Sequence, residues 1–170
     1  LELQSFHDPE TLISGDWGGA VDEAKRLLHG FGGRLGIHGP FWGLDLANPD
    51  REIREIVSRR ILTGLDICEA LGAVQMVIHS PYTTWDAHNL DSDPKGRERV
   101  IAMAHDTLSP VVVRAESQGV TLVIENIEDV DPDERLRLAQ SFDSPSVRLS
   151  IDTGHAQYAH RATGAPPVDH

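Results

Sequence analysis

The sequence predicts an α/β protein built on a parallel sheet. Three observations lead there: five short apolar runs of strand length, helical patterns with capping signals between them, and ionisable residues gathered at the C-terminal ends of the runs. The 170 residues suffice for one hydrophobic core, and residues 1–170 read as one domain without a linker or low-complexity tract.

Residues 1–4, 34–38, 74–79, 120–126 and 147–152 carry the strand character. The middle runs, Gln75-Met76-Val77-Ile78 and Leu122-Val123-Ile124, are apolar on both faces, as parallel strands covered by helices require. Asn48-Pro49, Asp93-Pro94 and Asp131-Pro132 each place a capping side chain before a proline suited to the first helical turn. After Asn48, Ile53, Ile56, Val57, Ile61, Leu65 and Cys68 recur three or four apart on one helix face, and Gly72 offers the left-handed exit. A second helix is expected over 94–118 through Val100, Ala104, Leu108, Val111 and Ala115, with Pro110 kinking or splitting it. A third follows Asp131, with Glu134 completing a capping box. Successive strand–helix–strand units with right-handed crossovers give a parallel sheet.

Composition narrows the function. A single cysteine, Cys68, excludes an internal disulfide. No apolar run approaches the roughly 20 residues of a membrane-spanning helix, so no membrane partner is expected. The net charge of −12, with Lys25 and Lys95 the only lysines and thirteen scattered arginines, disfavours a nucleic-acid surface.

His38, His79, Glu125 and Asp152 each stand at or near the end of a different apolar run. One such histidine is ordinarily a hydrogen-bonding structural residue, and one such glutamate an ordinary ion-pair partner. Four on four runs, all at the C-terminal edge where parallel α/β proteins bind ligands, form an imidazole and carboxylate set suited to a divalent metal. In Asp152-Thr153-Gly154-His155 the turn lets Asp152 and His155 face one cavity, and Asn126 is placed to orient Glu125. Phe41, Trp42, Tyr82 and Trp85 add aromatic surface to the same mouth, suited to the apolar face of a sugar ring or a base, with Trp42 the substrate-binding candidate. Glu2 lines the mouth or merely continues the Leu-Glu-Leu alternation. His29 and His105 are expected on helix surfaces or ends, and His7, His88, His160 and His170 in loops.

Together, Gly36-Ile37-His38-Gly39-Pro40-Phe41, Asp45-Leu46-Ala47-Asn48-Pro49, Val77-Ile78-His79-Ser80-Pro81, Val123-Ile124-Glu125-Asn126 and Ser150-Ile151-Asp152-Thr153-Gly154-His155 resemble the xylose-isomerase-like superfamily, which holds sugar-phosphate isomerases and epimerases and the type-IV apurinic endonucleases. The resemblance implies a (β/α)8 TIM barrel, present here as an incomplete barrel of about five to six βα units. A full barrel takes about 250 residues, so the chain reads as a fragment, strands two to six of eight, that would be inactive alone. It further implies Glu125 and Asp152 as metal-binding carboxylates, with Glu125, or the family's eighth-strand glutamate, as the catalytic proton-transfer base. His38 and His79 match histidines that bind metal in the endonucleases and more often line the substrate pocket in the sugar enzymes. His155 matches a histidine that touches substrate in the epimerases and a third metal in the endonucleases. The family's seventh-strand histidine and eighth-strand glutamate have no counterpart. The expected function is isomerisation or epimerisation of a small sugar, sugar phosphate or polyol derivative through a metal-stabilised enediolate, with Mn, Zn, Mg or Co as cofactor. The expected partner is a carbohydrate, the expected location cytoplasmic, and a homo-oligomer is left open. A metal-dependent phosphodiesterase acting on DNA is the alternative, and a non-catalytic sugar- or metal-binding barrel the third reading.

Overall fold

Strand pairing follows chain order. A computed structural model describes residues 1–8, 10, 12 and 15–163, with side chains as far as Ala159. In it β1 (Glu2–Leu3), β2 (Gly36–His38), β3 (Gln75–His79), β4 (Thr121–Glu125) and β5 (Val147–Ser150) lie side by side, every neighbouring pair parallel. The arc of an incomplete barrel results, as the family resemblance implies. Residues 164–170, including His170, lie outside the described residues.

The helices are α1 (Trp17–Leu27), α2 (Arg51–Leu71), α3 (Thr84–Asn89), α4 (Gly96–Gln118), α5 (Pro132–Ser141) and α6 (Thr153–Thr163), with a 3-10 turn at Leu90–Ser92. The strand period of two divides the sheet cleanly. Ile37, Met76, Ile78, Leu122 and Ile124 point to the helices and are almost wholly buried with Val57, Ile61 and Leu65 of α2 and Leu108 and Val111 of α4. Burying each such side chain is worth about 1.5–3 kcal/mol, and this layer holds sheet and helices together. The intervening Gly36, His38, Val77, His79, Val123, Glu125 and Ser150 occupy the opposite, concave face by register.

Several local expectations change. The helix after Asn48 begins two residues late: Asp50 is the N-cap, accepting from Glu52 N–H, while Asn48 Oδ1 accepts from Asp50 N–H at 2.9 Å. Asp93 likewise closes a turn onto Lys95 N–H (3.0 Å), and α4 begins only at Gly96. Asp131 caps α5 as expected, but Glu134 makes no capping box and turns to Arg97. Pro110 neither splits nor ends α4, which is continuous. Nearby hydroxyls bond back along the helix, Thr107 to Met103 O (3.1 Å) and Ser109 to His105 O (2.7 Å). His88 lies on α3 and the backbone of His160 on α6, rather than in loops. His105, expected as a surface or helix-end residue, is half-buried in the middle of α4 and stacks on Phe142 at 4.1 Å.

The loop from β2 to α2 carries part of the mouth, and buried polar contacts pin it. Arg54 donates to the carbonyls of Asn48 (2.6 Å) and Pro49 (3.1 Å) and pairs with Asp106 (3.2 Å), while buried Thr107 donates to Leu46 O at 2.6 Å.

Candidate active site

The ends of β2, β3 and β4 bring three side chains together. His79 and Glu125 are direct register partners, and His38 sits one level lower, beside Val77. His38 Nε2 lies 3.1 Å from His79 Nε2 and 3.8 Å from Glu125 Oε2. His38 Nδ1 donates to the Gly39 carbonyl at 2.9 Å, so in the neutral ring Nε2 keeps its lone pair towards the other two.

Asp152 arrives differently from the sequence expectation. β5 stops at Ser150, and Asp152 lies two residues beyond it. Asn126 replaces the missing ladder: its Oδ1 accepts from Asp152 N–H (2.8 Å) and its Nδ2 donates to Asp152 O (2.9 Å). The buried amide therefore positions Asp152 rather than orienting Glu125, which corrects its expected role. Asp152 Oδ1 in turn accepts from His155 N–H at 2.9 Å, the first turn of α6 closing on the carboxylate.

Two groups of ligand atoms result, each with its atoms within 4.8 Å of one another: His38, His79 and Glu125, and Glu125, Asp152 and His155. Glu125 belongs to both. A tetrahedral ion about 2.0–2.1 Å from its ligands puts them about 3.3 Å apart; the 3.1 and 3.8 Å separations around His38 lie on either side of that spacing. Imidazole nitrogens and carboxylate oxygens of this spacing fit zinc or a similar divalent ion.

The electrostatics agree with a ligand role. Burial, with His38 and His155 nearby, pulls His79 down to about 4, so its ring is neutral at neutral pH. Burial also pulls on His38, but Glu125, the Gly39 carbonyl and Glu2 outweigh it and raise the ring above its ordinary value. The backbone N–H of His155 keeps the Asp152 carboxyl low and anionic. Glu2 is raised by burial, with His38 opposing and Glu125 reinforcing, which places it within electrostatic reach of both.

Aromatic rings wall the β1 and β2 side. Phe41 stacks on His79 (4.4 Å, 28°) and on His7 (5.2 Å, 19°), and tilts against His38 at 4.7 Å. Trp42 packs on the outer side of Phe41 at 5.2 Å and is 59% exposed, so it is a rim residue rather than part of the floor. Trp85 on α3 is more exposed still, whereas Tyr82 is buried away from the mouth, beside Glu134. His7, to which the sequence assigns no role, therefore joins the site through Phe41; the motif Gly39-Pro40-Phe41-Trp42 after a strand-end histidine is the signal for the wall, but nothing in it announces a partner on the β1 loop.

A second polar layer lies behind the β4 loop. Asp129 and Arg135 pair at 3.5 Å with both side chains almost fully buried, and Arg97 bridges Glu134 and Asp91. These consecutive α5 residues, Glu134 and Arg135, tie the loop after Glu125 to α4; sequence reasoning gives Glu134 only a capping role and Arg135 none, because buried charges in a first turn resemble solvated ones.

Comparison with known proteins agrees with this architecture. A protein of unknown function from Methanocaldococcus jannaschii is 24% identical over 129 residues, 72% of this chain and 42% of its own length. A Thermus thermophilus protein, solved after soaking with zinc chloride, superposes with a TM-score of 0.68 at 30% identity, covering 92% of this chain and 58% of that one. A D-tagatose 3-epimerase-like protein superposes with a TM-score of 0.68 at 20% identity, covering 83% of this chain and 53% of that one. The chain thus spans about half the length of these relatives. Its residues 2–169 match the sequence signature of the xylose isomerase-like TIM barrel, and with the parallel order of its strands the chain belongs to that family.

Proposed function

We propose that the complete protein is a divalent-metal-dependent isomerase or epimerase of a small sugar or polyol derivative, and that this chain supplies strands two to six of its barrel. The observation that carries the reading is the convergence of His38, His79, Glu125, Asp152 and His155 into two overlapping ligand groups at one strand edge. The zinc-soaked relative and the D-tagatose 3-epimerase-like relative support it. Glu125 would hold one ion with His38 and His79, and with Asp152 it would form a second position beside that one. When bound, the metal supplies Lewis-acid polarisation of a carbonyl and an adjacent hydroxyl. Glu125 takes the proton from the carbon that bears that hydroxyl, next to the carbonyl, a general-base role its place at the end of β4 suits. His155 holds a substrate oxygen, Trp42 offers a rim surface for the apolar face of a sugar, and Asn126 keeps Asp152 in place.

The test is a panel of ketoses and aldoses incubated in D2O with full-length protein loaded with Mn or Zn. Expected is deuterium at one carbon adjacent to the carbonyl, together with the isomer or epimer, both lost in Glu125→Gln. Absence of exchange from every sugar of the panel would refute the reading. Phosphodiester cleavage is the second reading, favoured by the His38–His79 pair and opposed by the charge of −12. Incision of an abasic-site duplex by the same preparation, without sugar turnover, would establish it instead.

A further inference from the structure

We propose that Phe41 is a positioning residue: its ring fixes the His79 imidazole and steadies that of His38, and so sets the affinity of the His38–His79–Glu125 group for metal while leaving the Glu125–Asp152–His155 group unaffected. The inference rests on the metal-binding reading above.

A metal-binding histidine ordinarily has its second ring nitrogen tied to a carbonyl or carboxylate, which sets tautomer and orientation. His38 has such a tie, from Nδ1 to Gly39 O at 2.9 Å. His79 has none among the described residues: its one hydrogen-bonding contact is Nε2 to His38 Nε2, between the two candidate ligand atoms themselves. The χ2 torsion of histidine is broad, so an untied ring is free to turn its nitrogens away. What restrains the His79 ring is the face of Phe41, stacked on it at 4.4 Å and 28°.

Phe41 is itself held rigidly. Gly39 N–H donates to Val77 O at 2.9 Å, so close an approach that a Cβ on Gly39 would lie 2.6 Å from that oxygen. Pro40 is buried near Gly64, where a Cβ would come within 3.1 Å of its ring. Leu44 N–H closes a turn onto Phe41 O at 3.0 Å. On the far side, His7 stacks on Phe41 at 5.2 Å and 19°. The backbone after β2 is thus clamped onto β3, and the stack it carries holds the plane of the His79 ring. Neither Asp152 nor His155 has a ring contact with Phe41 among the described residues.

The experiment is a cobalt(II) titration of the complete protein, followed by its visible spectrum, for wild type, Phe41→Leu, Phe41→Tyr and Asp152→Asn. Phe41→Leu keeps an apolar side chain without a flat face. It should weaken cobalt binding at the histidine-containing group by about tenfold or more and alter its spectrum, with Phe41→Tyr restoring both. Asp152→Asn should leave that signal in place and weaken the other group. Wild-type affinity and an unchanged spectrum in Phe41→Leu would overturn the proposal. If wild type binds no cobalt, the metal reading fails; Phe41 is then judged on metal-free wild type by NMR, which also serves if Phe41→Leu does not fold. Upfield ring-current shifts of the His79 carbon-bound ring protons are expected, and their absence overturns the proposal.

Discussion

At the scale of single residues, protonation decides whether the site is ready for a cation. Burial holds His79 near about 4, well under its ordinary 6.5. In the window between these values the unfolded ring binds a proton that the folded ring refuses. The stability contributed by neutral His79 is therefore complete above its ordinary value and drains away as pH falls towards about 4. His38 has the opposite sign: raised above its ordinary value, it contributes fully below that value and loses the contribution as pH climbs through the folded one. An NMR titration of the metal-free protein should show His79 with a midpoint near about 4 and His38 above 6.5; a His79 midpoint at its ordinary value would mean the mouth is wetter than the packing of Phe41 implies. The carboxylate is tested separately. Glu125→Gln preserves size, so metal content measured by elemental analysis should fall to background while the melting temperature stays within a few degrees. If the variant keeps its metal, Glu125 is a structural residue.

At the scale of elements, the sequence makes some features plain and hides others for identifiable physical reasons. Strands β3 and β4 are legible because both faces are apolar until an ionisable residue ends each run, and Gly72 and Gly119 do end α2 and α4 in left-handed conformations. Helix starts are less legible. Asn48, Asp50, Asp93 and Asp131 all accept from a backbone N–H two residues on, and the same bond caps a helix or merely closes a turn before it. Helix α1 goes unread although Trp17, Ala20, Val21, Ala24 and Leu28 recur three or four apart on one face, because Gly18 and Gly19 fill its first turn and the Asp16 side chain makes no capping bond. Position 152 misleads because the apolar alternation of 147–152 outlasts the strand, which Asn126 terminates by a side-chain contact 26 residues away in sequence. Pro110 shows tertiary packing overriding a local breaker: Leu108, Val111 and Val112 are buried around it while it remains exposed. Because the helix continues without the amide that proline lacks, Pro110→Ala restores a donor at an exposed position. It should stabilise the protein by about 1–2 kcal/mol in urea unfolding, the helix gain exceeding the lost unfolded-state restriction; a neutral or destabilising outcome would show that α4 needs the proline's geometry.

At the scale of the whole molecule, the sheet separates stability from chemistry by the two-residue period of its strands. One face is dry and helix-covered, where Ile37, Met76, Ile78, Leu122 and Ile124 meet α2 and α4. The other is polar towards its C-terminal edge and carries His38, His79 and Glu125, with Val77 and Val123 as buried spacers beneath His79 and Glu125. A polar mouth costs the core nothing, because the residues that hold the fold point the other way. Consecutive residues should accordingly have opposite phenotypes. Ile124, fully buried on the helix side, loses most of its packing in Ile124→Ala and should cost about 2–5 kcal/mol in chemical denaturation, while the folded fraction binds zinc with unchanged affinity. Its neighbour in Glu125→Gln should retain stability and lose the metal. Equal loss of zinc affinity in folded Ile124→Ala would mean that the helix-side packing governs the geometry of the mouth, and that the two faces of β4 are not independent.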